Sequence, residues 1–372
     1  MKTSDIIKGN EIYIPESAWK SMNESHSKEE IRQLISDAIQ EYDIPLPYRQ
    51  ITEQDAWESF KDLQALDAKT LLKSGKVFTR YDYLFDFNLE YIDFCNVGNA
   101  ASDFFHQTNR WLCDSINSPS PHRTWTEEKF RLTLLNCLWT LKFNQVTSKE
   151  LRSAIHLRKY VASQFRPAAA KAIYQHFNSK RVLDFSAGWG DRLCAFHSCP
   201  QTEFYFGVDP SDRVHSNYQR QNEFYKTGKE VSLVKGCAED VEIPENTFDT
   251  VFTSPPYFNI ERYTGTFSED STQSWKRYKK LEVWLEKFLF RTIEKSWKAL
   301  KSGGVLAVNI SDVYSNHQIN RICDPMNAFI GTLANDASAF QGAMGLRMAK
   351  RPNSKSEQEG VFVEPIWVWR KP

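Results

Sequence analysis

The chain has 372 residues, 41% apolar and 14% aromatic, and this aromatic load excludes a disordered protein. Mean hydropathy is −0.54, no apolar run approaches the roughly 18–20 residues of a membrane span, and the opening MKTSDIIKGNEIYIPES has no apolar secretion core, so a soluble intracellular protein is expected. Lys+Arg and Asp+Glu both number 47, but the charge is uneven: residues 1–100 carry 11 basic and 18 acidic side chains, residues 145–235 carry 14 and 8, and residues 259–301 carry 10 and 6.

In chain order, Ser27 with Glu30 three residues on is a capping-box pattern, and Ile31, Leu34, Ile35, Ala38 and Ile39 follow at helical spacing. Ile44-Pro45-Leu46-Pro47-Tyr48 reads as a connector. Helical signals dominate from 50 to 165: Trp57, Phe60, Leu63 and Leu66 share a face, as do Phe130, Leu134, Leu135, Leu138 and Leu141. Residues 1–145 therefore read as a mostly helical module.

The pattern changes near Phe165-Arg166-Pro167, where strands and helices begin to alternate. Arg181–Phe185 is a short apolar strand ending in the turn Ser186-Ala187-Gly188-Trp189-Gly190, with a helix from about Asp191. Further strands are expected over Phe204–Asp209, Val231–Val234, Thr250–Thr253, Val305–Ile310, Gly345–Lys350 and Val361–Trp369, with helices over about 213–225 and 278–300. This alternation predicts a doubly wound α/β sheet over 146–372.

Ligands bind such sheets at the carboxyl ends of the strands. Glycine at 188 and 190 lets the backbone approach a ligand, and the helix that follows offers free N–H groups. Asp209 ends the second strand at a distance suited to ribose hydroxyls, with a helix N-cap as the plain alternative. Gly236-Cys237-Ala238-Glu239-Asp240 follows the third strand, where an adenine ring would lie; either acid suits its amino group, with loop surface as the equal alternative. Ser254-Pro255-Pro256-Tyr257-Phe258 follows the fourth strand. Two prolines fix the backbone and remove two donors, so carbonyls, a hydroxyl and an aromatic plate face outward, which suits a planar amine. The seven cysteines are scattered without a C-x-x-C pair, and no histidine sits at zinc-ligand spacing, so neither disulfides nor a metal is expected.

With these residues the chain resembles the S-adenosylmethionine-dependent amino-methyltransferases of DNA. The resemblance rests on Ser254-Pro255-Pro256-Tyr257, on Asp184 to Gly190 and on Phe165-Arg166-Pro167, with the cofactor turn first and the S-P-P-Y motif second. It covers roughly 150–372. It implies a doubly wound, mixed, seven-stranded Rossmann-like methyltransferase sheet with S-adenosyl-L-methionine as cofactor. The cofactor set is then Phe165, Arg166, Pro167, Asp184, Ser186, Ala187, Gly188, Gly190, Asp209, Ala238 and Glu239. The catalytic set is Ser254, Pro255, Pro256 and Tyr257, with Phe258, Arg262 and Tyr263 touching substrate. The reaction is methylation of an exocyclic base amine, cytosine N4 ahead of adenine N6, on a base flipped out or presented single-stranded.

The partner implied is nucleic acid, DNA ahead of RNA, with no membrane and no metal, in a cytoplasmic protein that is nucleoid-associated or encoded by a virus or phage. No target-recognition domain lies between or after the motifs, so recognition falls to residues 1–145, with phosphate contacts from Lys129, Arg131, Arg152, Arg158 and Lys159, or to the insertion at 259–280. There Trp275-Lys276-Arg277-Tyr278-Lys279-Lys280 mixes cations with aromatics, and Tyr263–Ser274 reads as a loop that closes on substrate. Three rivals remain. A nicotinamide-dependent oxidoreductase lacks its third glycine, because Leu193 stands there. A non-catalytic nucleic-acid-binding protein would have no use for intact motifs. A methyltransferase acting on protein glutamine is expected to carry N-P-P-Y.

Overall fold

The computed structural model describes residues 1–158, 161–263, 271–349 and 359–372. The chain forms two compact units, one of Met1–Gln50 and Gln107–Ser163 with Arg262 and Tyr263, the other of Ile51–His106, Gln164–Glu261 and the described residues from 271 on.

The first unit is helical. Ser27 Oγ accepts the Glu30 N–H at 3.2 Å and the Glu30 carboxylate accepts the Ser27 N–H at 2.7 Å, closing the capping box of the helix Lys28–Glu41. Ile31, Ile35 and Ile39 then pack with Trp125, Leu134, Leu138, Leu151 and Ile155 in one core. Two of the cations expected to face phosphate are used internally. Arg131 is buried and donates to Ser36 Oγ at 2.9 Å and to the Trp125 carbonyl at 2.7 Å. Arg152 donates to the Tyr48 carbonyl at 3.0 Å. Lys159 lies outside the described residues.

The second unit is built on a ten-stranded sheet. Its strands are β1 (Leu72–Ser74), β2 (Val77–Phe78), β3 (Phe87–Ile92), β4 (Arg181–Asp184), β5 (Phe204–Asp209), β6 (Glu230–Lys235), β7 (Phe248–Thr253), β8 (Leu300–Asn309), β9 (Phe340–Arg347) and β10 (Val361–Arg370). They run in the order β1-β3-β9-β10-β8-β7-β4-β5-β6, with β2 beside β10. Strands β4 to β8 are mutually parallel, and β10 is antiparallel to both β8 and β9.

The seven expected strands are β4 to β10, and they make the mixed, doubly wound sheet that the alternation predicts. On one face lie Trp284, Phe288, Ile293 and Trp297 with Met326 and Ile330; on the other lie Ile173, Tyr174, Leu193, Phe196 and Tyr218. The polar loop expected between β9 and β10 includes residues 350–358, which lie outside the described residues.

The break expected at 145 is drawn differently by the contacts. Residues 51–106 join the sheet unit, because Phe87 and Tyr91 of β3 pair with Ala343 and Gly345 of β9. Phe60 of the helix Glu53–Ala65 also stacks on Tyr225 at 4.2 Å. Strands β1 to β3 are short and their apolar residues follow no clean alternation. Strand β3 pairs with β9 about 250 residues further on, β2 pairs with β10, and β1 joins the sheet through β3, so local pattern does not disclose them. Among the described residues no helix is long and apolar enough to cross a membrane.

Candidate active site

The chain order of the strands reverses between β4 and β7, and in open α/β sheets the crevice outside that point takes the ligand. After β4 comes the glycine turn. Gly188 and Gly190 have φ of +58° and +67°, the left-handed region that side chains rarely adopt. A Cβ on Gly190 would lie 2.0 Å from Gln221 Oε1, so this position has no room, while a Cβ on Gly188 would meet nothing closer than the Ser186 carbonyl at 3.6 Å. The backbone at 188 is therefore open to an approaching ligand, and Gly190 caps the helix Asp191–Ser198.

Asp184 is not in the cleft. It is fully buried; Arg192 Nε donates to its Oδ2 at 2.7 Å and the Tyr205 hydroxyl donates to the same oxygen at 2.7 Å. Arg192 also donates to the Ser186 carbonyl, so Asp184 shapes the turn through Arg192 and does not face a ligand. Burial pulls the Arg192 guanidinium down, but the Asp184 carboxylate outweighs it and the net direction is up. Ala187 donates to the Val208 carbonyl at 2.9 Å, which ties the turn to β5.

Asp209 ends β5 beside that turn. One oxygen accepts the Gly188 N–H at 3.0 Å and the other the Ser211 N–H at 3.0 Å. Burial pushes its carboxyl up to about 6, against the pull of these two N–H groups. Each oxygen keeps a free lone pair for a further donor.

Phe165 is partly buried, its ring edge-on to Phe252 at 5.4 Å, and its N–H donates to Asp191 Oδ2 at 3.2 Å. Arg166 donates to the Arg347 carbonyl at 2.7 Å and lies over the Phe94 ring, and burial lowers its pKa. Pro167 is buried at the start of the helix Pro167–His176.

Ala238 and Glu239 are both buried; the Arg277 guanidinium pairs with Glu239 and, at 2.8 Å, with Asp240. Burial raises the Glu239 carboxyl. Arg277 is thus spent inside the protein and not on phosphate, contrary to the expectation for 275–280. Among the described residues, Cys237, Glu239 and Asp240 bring potential ligand atoms within 4.8 Å of one another, and Arg277 occupies both carboxylates.

Ser254-Pro255-Pro256-Tyr257 leaves β7 at its carboxyl end. The Ser254 hydroxyl donates to Asn309 Oδ1 at 3.3 Å, and the Tyr257 hydroxyl lies 3.3 Å from both the Asn309 carbonyl and its Oδ1. Burial raises the Tyr257 phenol well above its ordinary value, so it stays protonated. Asn309 in turn donates to the Pro365 carbonyl at 2.9 Å and lies 3.5 Å from Glu364 Oε2.

Phe258, expected to touch substrate, is instead buried; its φ of +51° turns the ring onto Trp284 at 5.7 Å, in the core. Arg262 and Tyr263 belong to the first unit, where Cys113 Sγ lies 3.1 Å from the Tyr263 carbonyl. Of the loop expected over Tyr263–Ser274, residues 264–270 lie outside the described residues, while Gln273 and Ser274 at its end are buried and Ser274 opens the helix Ser274–Arg277.

Two residues at this site escape the sequence reading. Asn309 stands within the expected apolar strand Val305–Ile310 and ends β8, and Glu364 interrupts the expected Val361–Trp369. A polar group inside a buried strand carries a cost unless it is used, and that was the available signal.

No family model matches the chain. Over 100 residues it is 27% identical to the Type II beta methyltransferase M.BslI of Bacillus sp. (strain NEB-606), a stretch that spans 26% of this chain and 10% of that protein. Among solved structures it is similar to an S-adenosylmethionine-dependent O-methyltransferase of Thermotoga maritima, at 12% identity and a TM-score of 0.35, covering 59% of this chain and 70% of that one. A tRNA (m1A58) methyltransferase of Aquifex aeolicus gives 18% identity and a TM-score of 0.31, covering 56% and 70%. Likenesses at these scores have no bearing on substrate or activity.

Proposed function

We propose that this protein is an S-adenosylmethionine-dependent methyltransferase acting on the exocyclic amine of a base in DNA, cytosine N4 ahead of adenine N6. The observation that carries the reading is Ser254-Pro255-Pro256-Tyr257 at the carboxyl end of β7, next to the glycine turn of β4 at the reversal of strand order. The short likeness to a Type II methyltransferase supports it.

The residues present fit the donor. The space over Gly188, the helix N-terminus after Gly190 and the partly exposed Asp209 make a cradle for a ligand that combines a carboxylate with a ribose. When bound, the donor supplies an electrophilic methyl group. Asp209 holds the ribose hydroxyls, and Ala238 lines the base. Ser254, whose oxygen keeps lone pairs while its hydrogen goes to Asn309, accepts a hydrogen of the target amine together with the Pro255 carbonyl. That pulls the amine lone pair out of ring conjugation. Tyr257, partly buried, is the plate on which the base stacks. Catalysis is then positioning and electrostatics. The helical unit supplies recognition of the polymer.

Incubating the protein with labelled donor and either DNA or RNA, then digesting to nucleosides for mass spectrometry, tests the reading. N4-methylcytosine or N6-methyladenine in the DNA digest is expected. Label in RNA alone shifts the polymer, and no label in either nucleic acid removes the reading.

Asp209 adds a pH dependence. Its carboxyl is raised to about 6 in the fold, so the stability tied to its protonated form is present below about 4 and is lost as pH rises through 6. Donor binding has the opposite sign, since ribose hydroxyls need the ionised acid. Donor affinity should fall as pH drops below about 6, approaching tenfold per pH unit, and Asp209→Asn should bind more weakly at neutral pH but without that slope. Calorimetric titrations at several pH values check this; a wild-type affinity flat across the range removes Asp209 from the donor site.

A further inference from the structure

We propose that Glu364 is the proton acceptor of the methyl transfer, the group that takes the proton released by the target amine. This rests on the amino-methyltransferase reading above. Strand β10 runs antiparallel to β8, with Ile366 paired to Asn309, so the start of β10 stands at the carboxyl ends of the parallel strands, beside the Ser254–Tyr257 turn. Two contacts converge there. Asn309 Nδ2 lies 3.5 Å from Glu364 Oε2, and Asn309 Oδ1 accepts the Ser254 hydroxyl and lies 3.3 Å from the Tyr257 hydroxyl. Asn309 therefore bridges the first residue of the motif and the carboxylate.

The chemistry needs such a group. As the nitrogen lone pair bonds to the methyl carbon, the sulfur of the donor keeps the electron pair of the bond that breaks. The nitrogen, now cationic, must lose a proton. Its N–H bond leaves its pair on nitrogen, and the proton forms an O–H bond with Glu364, to be passed on to water. A serine hydroxyl is no base at neutral pH, the proline carbonyls accept hydrogen bonds without taking the proton, and Tyr257 keeps its own. Of the side chains gathered on Asn309, Glu364 is the one that can end the step protonated.

The environment agrees. Among the described residues Glu364 has no ion-pair partner, an expensive state for a carboxylate set between Val363 and Pro365 within a mostly buried strand. The groups that face it are Asn309, which donates to it, the neutral Tyr257, Glu261, which repels its charge, and Arg166, whose guanidinium is turned to the Arg347 carbonyl. Burial leads, and the carboxyl is pushed up to about 7, where it exchanges a proton at physiological pH.

The test is single-turnover methyl transfer to DNA from about pH 5.5 to 8.5 for the wild type, Glu364→Gln and Glu364→Asp, with calorimetric donor affinity as the control. The wild-type rate should rise with pH through about 7. Glu364→Gln should lose that limb and fall about 100-fold or more, with donor affinity kept, and Glu364→Asp should keep the limb at a reduced rate. A second readout needs neither donor nor DNA: a carbon-13 titration of the glutamate carboxyls should show one group titrating near 7 that is missing in Glu364→Gln. A Gln variant that keeps the rate, or one that loses rate while the limb persists, overturns the proposal. So does a Glu364 carboxyl that titrates in the ordinary range. A wild type that methylates neither DNA nor RNA, with the carboxyl still titrating near 7, instead overturns the parent reading and leaves Glu364 no amine to serve.

Discussion

Arg192→Met should cost the protein about 3–5 kcal/mol, because it strands the Asp184 carboxylate in the core. The Asp184 side chain has no solvent exposure, and Arg192 engages both of its oxygens, at 2.7 and 3.3 Å. With the arginine gone, only the Tyr205 hydroxyl and the Ser186 N–H remain, two neutral donors for a full buried charge. At about 2–4 °C per kcal/mol for a domain of this size, the melting temperature should drop by roughly 6–20 °C. The double variant Asp184→Asn with Arg192→Met removes the charge as well as its partner and should recover much of that loss, since the penalty is the unpaired ion and not the missing pair. Thermal unfolding of the single and double variants decides it. If the double is as unstable as the single, packing of the arginine stem, and not the ion, holds the turn. The same substitution frees the Ser186 carbonyl and should weaken donor binding at temperatures where the protein is still folded.

The parallel part of this architecture was legible because each strand there is a short apolar run closed by a turn residue. Asp209-Pro210, Gly188 to Gly190 and Ser254 to Pro256 mark strand ends that the structure places at Asp209, Asp184 and Thr253. Strands β1 to β3 were not legible, since β2 and β3 pair with strands far along the chain, β1 joins only through β3, and their sequence alternates poorly. The side chains in the turns divide in the same way. Backbone-driven positions, such as Gly190 with no room for a Cβ, can be read from residue type alone. Whether a side chain faces the cleft or the core cannot: Asp184 and Phe258 both stand in motif positions, yet one is consumed by Arg192 and the other by Trp284. Asn309 and Glu364 come from strands 55 residues apart and meet only through the antiparallel register of β8 and β10.

That meeting changes what is expected at Tyr257. From sequence the ring is the working part, and Tyr257→Phe should cost much less than Tyr257→Ala. In the structure the hydroxyl is held by the Asn309 carbonyl and side chain, each at 3.3 Å. Tyr257→Ala removes the plate, worth about 1–3 kcal/mol per stacked base, so turnover on DNA should fall about 5- to 150-fold. Tyr257→Phe keeps the plate and loses one hydrogen bond of about 0.5–1.5 kcal/mol, so it should cost about 2- to 12-fold. It also loosens Asn309, and with it the Ser254 hydroxyl that Asn309 orients. Donor affinity should stay unchanged in both variants, because neither atom group lies on the Gly188–Asp209 side of the crevice. Turnover with donor affinity as control distinguishes the roles. Equal losses in the two variants would make the hydroxyl network, not stacking, the main contribution of Tyr257. Full activity in both would place the amine pocket elsewhere and remove the basis for the mechanism, since the fixed carbonyls of Pro255 and Pro256 serve only a base held against this ring.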